Sequence, residues 1–351
     1  MERNKQEIVE VLRKNLSGIT DVALIPSKHK GIKSDWSKSF ECNKGHELDL
    51  LVNIFGLNRD ERLENLFVSI TSGDGDELSK NNKEDSPKIL ALHSSSLVAF
   101  LCFSQINRDN PIKIDDVEYV EVMFEVKNDV ISPYLGKPSN IDVVLLNEDR
   151  SKMLLLESKF TEYLSGGRAY LSPNRYEKFF NILLKSKCSS FKFEASFIEV
   201  THKSDSEHPN GYKTMEYCLH KGERTLGYLG GIKQAFSHIL GIATGPAQIQ
   251  TETNTHYKEI FDNVEKLTFA TIVYNCDERK FNTYSDLYNS VFRHEHEDII
   301  KTSIRKVVSK SSSIDKLMIR PKILTYQKIF EDYQLPKNIC EFYKLGQHNN
   351  G

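Results

Sequence analysis

A chain of 351 residues is long enough to bury a substantial core, and its net charge of −2 gives it no overall attraction to nucleic acid. Hydrophobic residues make up 39% and charged residues 27% of the chain, a balance that excludes wholesale disorder. No apolar run approaches the roughly 20 residues of a membrane span, and the charged N-terminus excludes a signal peptide. The six cysteines form no CxxC pair. We therefore expect a reduced, cytoplasmic protein without a membrane partner or a zinc site.

The first part of the chain mixes short helices with polar segments. Residues 6–16 predict a helix and residues 48–57 a helix or a buried segment, and residues 26–38 predict a loop whose lysines and single tryptophan could contact DNA phosphates. A lysine-rich loop is more often merely solvated. The polar segment 71–86 marks a domain boundary. We therefore predict an N-terminal extension over 1–86, which could contact DNA, and a main domain over 87–351.

The main domain opens with a buried helix and a strand. Ser94 is placed to cap a helix that is apolar on every face, as is typical of a buried helix. Residues 117–126 alternate with period 2 and predict one strand. Glu125 lies on it, either beside a metal ion or simply on the polar face with Glu121, and the alternation fits both.

The centre of the sequence is a predicted hairpin of two strands that are apolar almost throughout, residues 137–146 and 153–160. Asp142 stands near the start of the first strand, and Glu157 and Lys159 stand near the end of the second. Side chains alternate along a strand, so Glu157 and Lys159 project from one face and Ser158 from the other. In an antiparallel pair the three charges then converge at one end of the sheet.

Such a constellation favours divalent metal chemistry. Two buried carboxylates repel each other unless a cation lies between them. Mg²⁺ suits hard oxygen ligands, keeps several waters, and needs only one or two protein carboxylates. A lysine beside the metal can orient a water or stabilise the charge that develops on a phosphate. The alternative is a structural salt bridge between Lys159 and either carboxylate.

The remaining elements alternate between helices and strands. Helices are predicted over 174–187 and 229–242, and strands over 191–201 and 266–274. Gln234 lies on the second of these helices, where it could position the lysine or a phosphate, although any surface helix carries polar residues. One long helix is predicted over 283–308 with a solvated His294–Glu297 quartet, and one or two short helices over 323–345.

Pro138 to Asp142, followed by Glu157-Ser158-Lys159, resembles the PD-(D/E)xK nuclease superfamily, although Pro138 does not directly precede the aspartate. The resemblance implies an α/β protein with a restriction-endonuclease-like mixed β-sheet core flanked by helices, here with an N-terminal helical extension and an insertion at about 161–228. It implies Mg²⁺, for which Mn²⁺ can substitute, held by Asp142, Glu157 and Glu125. The implied catalytic residues are Asp142, Glu157, Lys159, Glu125 and Gln234.

The activity implied by the resemblance is Mg²⁺-dependent endonuclease cleavage of double-stranded DNA, in type II-like restriction or phage defence, with a homodimer as one possible assembly. Two alternatives stay open. A nuclease of the same fold could act on RNA, single strands or damaged DNA, because all of these share the same catalytic residues. A non-catalytic member could bind nucleic acid or a protein through the fold alone.

Overall fold

The computed structural model describes residues 2–29, 32–72, 78, 87–131, 137–186, 191, 193–202, 210–221, 228–249, 251–308 and 312–346, with the backbone alone for 2–4, 27–29, 32–36 and 312. The helices are α1 Glu2–Ser17, α2 Glu47–Phe55, α3 Glu61–Thr71, α4 Ser95–Phe103, α5 Pro173–Lys185, α6 Leu229–Thr244, α7 Glu252–Asn263, α8 Glu278–Phe292, α9 His294–Arg305, α10 Ser312–Lys316, α11 Tyr326–Ile329 and α12 Lys337–Tyr343. The strands are β1 Leu24–His29, β2 Ile32–Phe40, β3 Ile112–Ile114, β4 Val117–Tyr119, β5 Glu121–Asn128, β6 Ser139–Leu146, β7 Lys152–Lys159, β8 Ala169–Tyr170, β9 Glu194–His202, β10 Tyr212–His220, β11 Lys266–Val273, β12 Leu317–Ile319 and β13 Leu324–Thr325. Among the described residues, no helix is both long and apolar enough to cross a membrane.

A six-stranded mixed sheet forms the centre of the protein, in the order β12-β11-β7-β6-β5 with β13 also paired to β11. Strand β6 runs antiparallel to both β5 and β7, whereas β11 runs parallel to β7, β12 and β13. Helices pack on both faces. The prediction of an α/β protein with a mixed sheet flanked by helices is confirmed.

The two faces of the sheet bury two separate apolar clusters. Val144 and Leu146 of β6 belong to the cluster that α5 and α6 cover, whereas Val143 and Leu145 belong to the cluster that α4 and α12 cover. Burial on both sides explains why the β6 and β7 sequences are apolar almost without interruption. Apolar residues of α1, α2 and α3 belong to the second cluster as well, so the first 72 residues share a core with the sheet. The division into 1–86 and 87–351 stays a prediction, and most of segment 71–86 lies outside the described residues.

Local sequence signals set several helix starts. The Ser94 hydroxyl accepts the N–H of Leu97 at 3.2 Å and begins α4, as predicted. The Asp277 carboxylate accepts the N–H of Lys280 at 3.0 Å and begins α8. The predicted helices of residues 6–16, 48–57, 174–187 and 229–242 correspond to α1, α2, α5 and α6.

Two sequence predictions about strands and loops were wrong. Residues 26–29 and 32–38 lie in the antiparallel strands β1 and β2 instead of a loop, and these strands are too polar to show a hydrophobic alternation. The lysine side chains proposed there for DNA contact fall largely outside the described residues. Residues 117–126 form two strands, β4 and β5, separated at Val120.

The long helix predicted over 283–308 is two helices, α8 and α9. Arg293, with a ψ of 154°, ends one helix and precedes the next. His296 is 1% exposed, and its Nδ1 lies 2.9 Å from the carbonyl oxygen of Val291 at the end of α8. The quartet is therefore not a uniformly solvated face: His296 is a buried residue that packs the two helices at their junction.

The predicted insertion of residues 161–228 contains α5 and a second sheet, of order β8-β10-β9. Strand β10 was not predicted, because its alternation begins directly after a polar segment. The strand pairs with β9 over nine residues, from Tyr212 with His202 to His220 with Glu194.

Candidate active site at the splayed end of the sheet

Strands β6 and β7 separate at the point where the charged residues begin. The last pair of their ladder is Val143 with Leu156, and one further step in the same register would pair Asp142 with Glu157. The N–H of Ser158 instead donates to Asp142 Oδ2 at 2.6 Å. A side-chain oxygen thus takes the place of a main-chain acceptor, and the strands splay. We call residues 125, 142 and 157–159 the splayed end of the sheet.

The regular backbone conformation of strand β5 is interrupted at Glu125, next to the splayed end of β6 and β7. Glu125 has a φ of 54°, the left-handed region, which costs a residue other than glycine about 1–2 kcal/mol. It lies between the Phe124–Val143 and Val126–Ile141 pairs, and therefore across from Asp142. In a regular strand Val126 would share a face with Phe124, and Ile141 with Val143. Here Val126 and Ile141 lie on the opposite face of the sheet. Backbone strain of this kind is concentrated at functional sites.

The alternation predicted for β7 is confirmed. Glu157 and Lys159 form an ion pair on one face, and they are only 2% and 5% exposed. Ser158 points to the other face, where its hydroxyl lies 2.8 Å from that of Tyr326. A carboxylate and an ammonium are thus enclosed together at the end of a buried strand.

His238 on α6 completes a chain of contacts that sequence reasoning missed. Its Nε2 lies 2.6 Å from Glu157 Oε2, and its Nδ1 lies 2.5 Å from the hydroxyl of Ser139. Both His238 and Ser139 are buried. The available signal was the spacing of four residues from Gln234, which places both side chains on one face of the helix. Glu157 is therefore held from two sides, by Lys159 and by His238.

The two carboxylates differ in their protonation. Burial alone would raise the pKa of Glu157, but the charges of Lys159 and His238 outweigh it and lower that pKa to about 2. Burial, followed by the charge of Glu157, raises the pKa of Asp142 well above its ordinary value. Burial lowers the pKa of Lys159, but Glu157 outweighs it and raises that pKa well above its ordinary value. Glu157 and Lys159 are thus charged at neutral pH, whereas Asp142 resists ionisation.

All five predicted catalytic residues line one cavity of ≈ 410 Å³. Its walls also include several polar residues from α4, α5, β6 and α6: Ser95, Ser96, Ser139, Asn140, Arg175, Tyr176, Lys233, Ser237 and His238. The volume has room for roughly a dozen waters at the ~30 Å³ that each occupies in the liquid. The structure therefore brings together residues that lie more than one hundred positions apart.

Glu125 and Gln234 occupy the edge of this arrangement. Glu125 Oε2 accepts a hydrogen bond of 3.2 Å from Asn140 Nδ2, and its charge contributes to the raised pKa of Asp142. Gln234 Oε1 lies 3.5 Å from the hydroxyl of Tyr228, whose ring packs at the start of α6. Gly231 permits this packing, because a Cβ there would lie 2.8 Å from Cδ1 of the Tyr228 ring.

The donor set fits a hard divalent cation held by few protein ligands. No group of three or more His, Cys, Asp or Glu side chains is arranged to hold a metal in the described part of the chain. The charges of Glu157 and Glu125 both act on the pKa of Asp142, so Asp142 and Glu157 are the nearest acidic pair that we assign, with Glu125 beside Asp142. A pair of carboxylates meets the requirement of Mg²⁺, which retains several waters. Burial and then the charge of Glu157 raise the pKa of Asp142, and a cation beside it would favour the ionised form.

Removing His238 tests how far it holds Glu157 in place. We expect His238→Leu to lower the free energy of unfolding by about 2–3 kcal/mol, because it takes a partner from a buried carboxylate and from the Ser139 hydroxyl. His238→Gln should lose less, since its amide can still donate to Glu157. Urea unfolding at pH 7 measures both, with the highly exposed His294→Gln as control. Equal, negligible losses in both His238 variants would contradict the role assigned to this contact.

Compared with known proteins, the chain matches no family model, no characterised protein and no solved structure.

Proposed function

We propose that this chain is a metal-dependent endonuclease of the PD-(D/E)xK type, which hydrolyses phosphodiester bonds of double-stranded DNA in restriction or phage defence. One observation carries the proposal: Asp142, Glu157 and Lys159 meet in a single cavity at the splayed end of the sheet. An ion pair that served stability alone would not require two strands to separate around it. The mixed sheet with helices on both faces supports a restriction-endonuclease-like fold.

The acidic pair would hold Mg²⁺, or Mn²⁺ in its place, through Asp142 and Glu157, with Glu125 close to Asp142. When bound, the ion polarises a phosphoryl oxygen and offsets the negative charge that develops there. Glu157 is ionised at neutral pH, and a cation would share its carboxylate with Lys159 and His238. Asp142 must lose its proton to do the same, so its raised pKa makes cation binding stronger as the pH rises.

Lys159 acts through its charge. Its raised pKa keeps it an ammonium at neutral pH, so it cannot accept a proton from the attacking water as a general base. An ammonium has three N–H donors, and in a buried site these can orient a water and stabilise an oxyanion more strongly than in bulk solvent. His238 and Ser139 contribute by fixing the Glu157 carboxylate at the position where Lys159 meets it.

Parallel digestion of supercoiled plasmid, single-stranded DNA and RNA tests the function. We expect nicking and linearisation of the plasmid with Mg²⁺ or Mn²⁺ and no cleavage in EDTA. Cleavage confined to RNA or to single strands would favour the alternative nuclease of the same fold. Binding without cleavage of any of the three, with either metal, would favour a non-catalytic member.

A further inference from the structure

Two cationic side chains outside the predicted catalytic set line the same cavity: Arg175 of α5 and Lys233 of α6. Both are half-buried. The guanidinium carbon of Arg175 lies 5.9 Å from the ring centroid of Tyr176, whose hydroxyl lies 2.8 Å from that of Ser237 on α6. The Arg175 side chain is thus supported by a ring that is itself anchored to α6.

Lys233 lies near a like charge. Burial, followed by the charge of Arg175, lowers its pKa below the ordinary value. Within the described residues, no acidic side chain forms an ion pair with Lys233. The charges of Arg175 and Lys233 repel each other in the wall of the cavity, and an anion between them would relieve this repulsion.

The charge of the whole cavity points in the same direction. Apart from His238, three carboxylates and three cationic side chains line it: Glu125, Asp142, Glu157, Lys159, Arg175 and Lys233. Their formal charges cancel when all are ionised. A divalent cation on the acidic pair would leave two positive charges, which equals the charge of two phosphodiester groups.

We propose that Arg175 and Lys233 form a second phosphate site, which holds a backbone phosphate next to the one that is cleaved. The inference rests on the proposed nuclease function and narrows its substrate class. The ligand is a polynucleotide that continues past the scissile bond, and an isolated phosphodiester or mononucleotide would leave this site empty.

The salt dependence of binding provides a test that does not depend on cleavage. Each phosphate contact contributes about −0.9 to the slope of log K against log salt concentration. A tenfold change in salt therefore changes the affinity by roughly eightfold for each contact. We expect the double variant Arg175→Gln/Lys233→Gln to bind a fluorescent DNA duplex about tenfold more weakly in EDTA, with a slope shallower by about 1. The charge-matched control is Lys178→Gln/Lys185→Gln, two exposed lysines of α5.

The outcomes separate this inference from the proposed function. An unchanged slope in the Arg175/Lys233 variant, with melting like wild type, would overturn the second phosphate site even if the wild type cleaves DNA. A slope that falls equally in the control would also overturn it. A shallower slope confined to the Arg175/Lys233 variant would support the site even if no metal activates cleavage.

Discussion

Asp142→Asn and Glu157→Gln should each reduce cleavage on the order of 10³-fold, and yet only Glu157→Gln should destabilise the metal-free protein. The loss of activity follows because each variant replaces a carboxylate of the acidic pair with a neutral amide. The difference in stability follows because the structure places the two carboxylates in different surroundings.

Asp142→Asn should leave the free energy of unfolding unchanged or raise it. The native state binds the Asp142 proton more tightly than the unfolded chain, so this carboxyl contributes less stability as the pH rises above its unfolded pKa. An asparagine removes that dependence. In the wild type the N–H of Ser158 donates to Asp142 Oδ2, and the side-chain oxygen of the asparagine can accept the same hydrogen bond.

Glu157→Gln should lower the free energy of unfolding by roughly 3 kcal/mol, because it leaves the Lys159 ammonium buried without its counter-ion. The pKa of Glu157 falls from 4.5 to about 2 on folding, so the wild-type contribution is present above pH 4.5 and is lost as the pH falls towards 2. Urea unfolding in EDTA between pH 3 and 8 would show this window, and the variant should lack it.

The exposed Glu148→Gln, in the turn between β6 and β7, serves as control for both variants. It should change neither cleavage nor stability by a measurable amount. Wild-type cleavage by either active-site variant would refute the proposed acidic pair. A loss of stability in Asp142→Asn as large as that in Glu157→Gln would show that the two carboxylates are equivalent after all.

The hairpin at the centre of the site could be predicted because two independent patterns agree there. The continuous apolar runs of β6 and β7 identify buried strands, and the alternation along β7 places Glu157 and Lys159 on one face. The departure from the pattern is informative as well, since Asp142, Glu157 and Lys159 are the residue types that such strands usually exclude. Their convergence follows from antiparallel pairing alone.

What the sequence could not supply was the conformation that opens the site. Glu125 has a left-handed backbone conformation, which glutamate normally avoids, so its residue type gave no reason to predict it. His238, Arg175 and Lys233 belong to helices whose rotation about their axes depends on tertiary packing. The break at Arg293 is likewise invisible, because neither glycine nor proline marks it. Local patterns thus identified the elements, whereas the details of the cavity depend on contacts between distant segments.

Lys159→Met should reduce cleavage by about 10²–10³-fold, and it should also make Mg²⁺ a stronger stabiliser of the protein. In the structure Lys159 already pairs with Glu157, so its removal alone will lower stability whether or not the site is catalytic. Stability in EDTA therefore cannot distinguish a catalytic lysine from a structural salt bridge, whereas the change in stability on adding Mg²⁺ can distinguish them.

The lysine ammonium and a divalent cation compete for the same Glu157 carboxylate. Removing Lys159 leaves the acidic pair with less positive charge nearby, so a metal ion should bind more tightly to the variant than to the wild type. Melting temperatures with and without Mg²⁺ should then differ more for Lys159→Met than for the wild type. Single-turnover cleavage at saturating Mg²⁺ would show that the rate loss persists when the metal site is full.

Lys152→Met provides the matched control, since Lys152 is the exposed residue at the opposite end of the same strand. It should change neither the metal-induced shift in melting temperature nor the rate. If Mg²⁺ stabilises neither Lys159→Met nor the wild type, the acidic pair is no metal site, and Lys159 and Glu157 form a structural salt bridge. If Lys159→Met gains metal affinity but cleaves at the wild-type rate, the pair binds metal without any catalytic contribution from the lysine. Tighter metal binding together with a lost rate is the result expected of a lysine that acts on the phosphate.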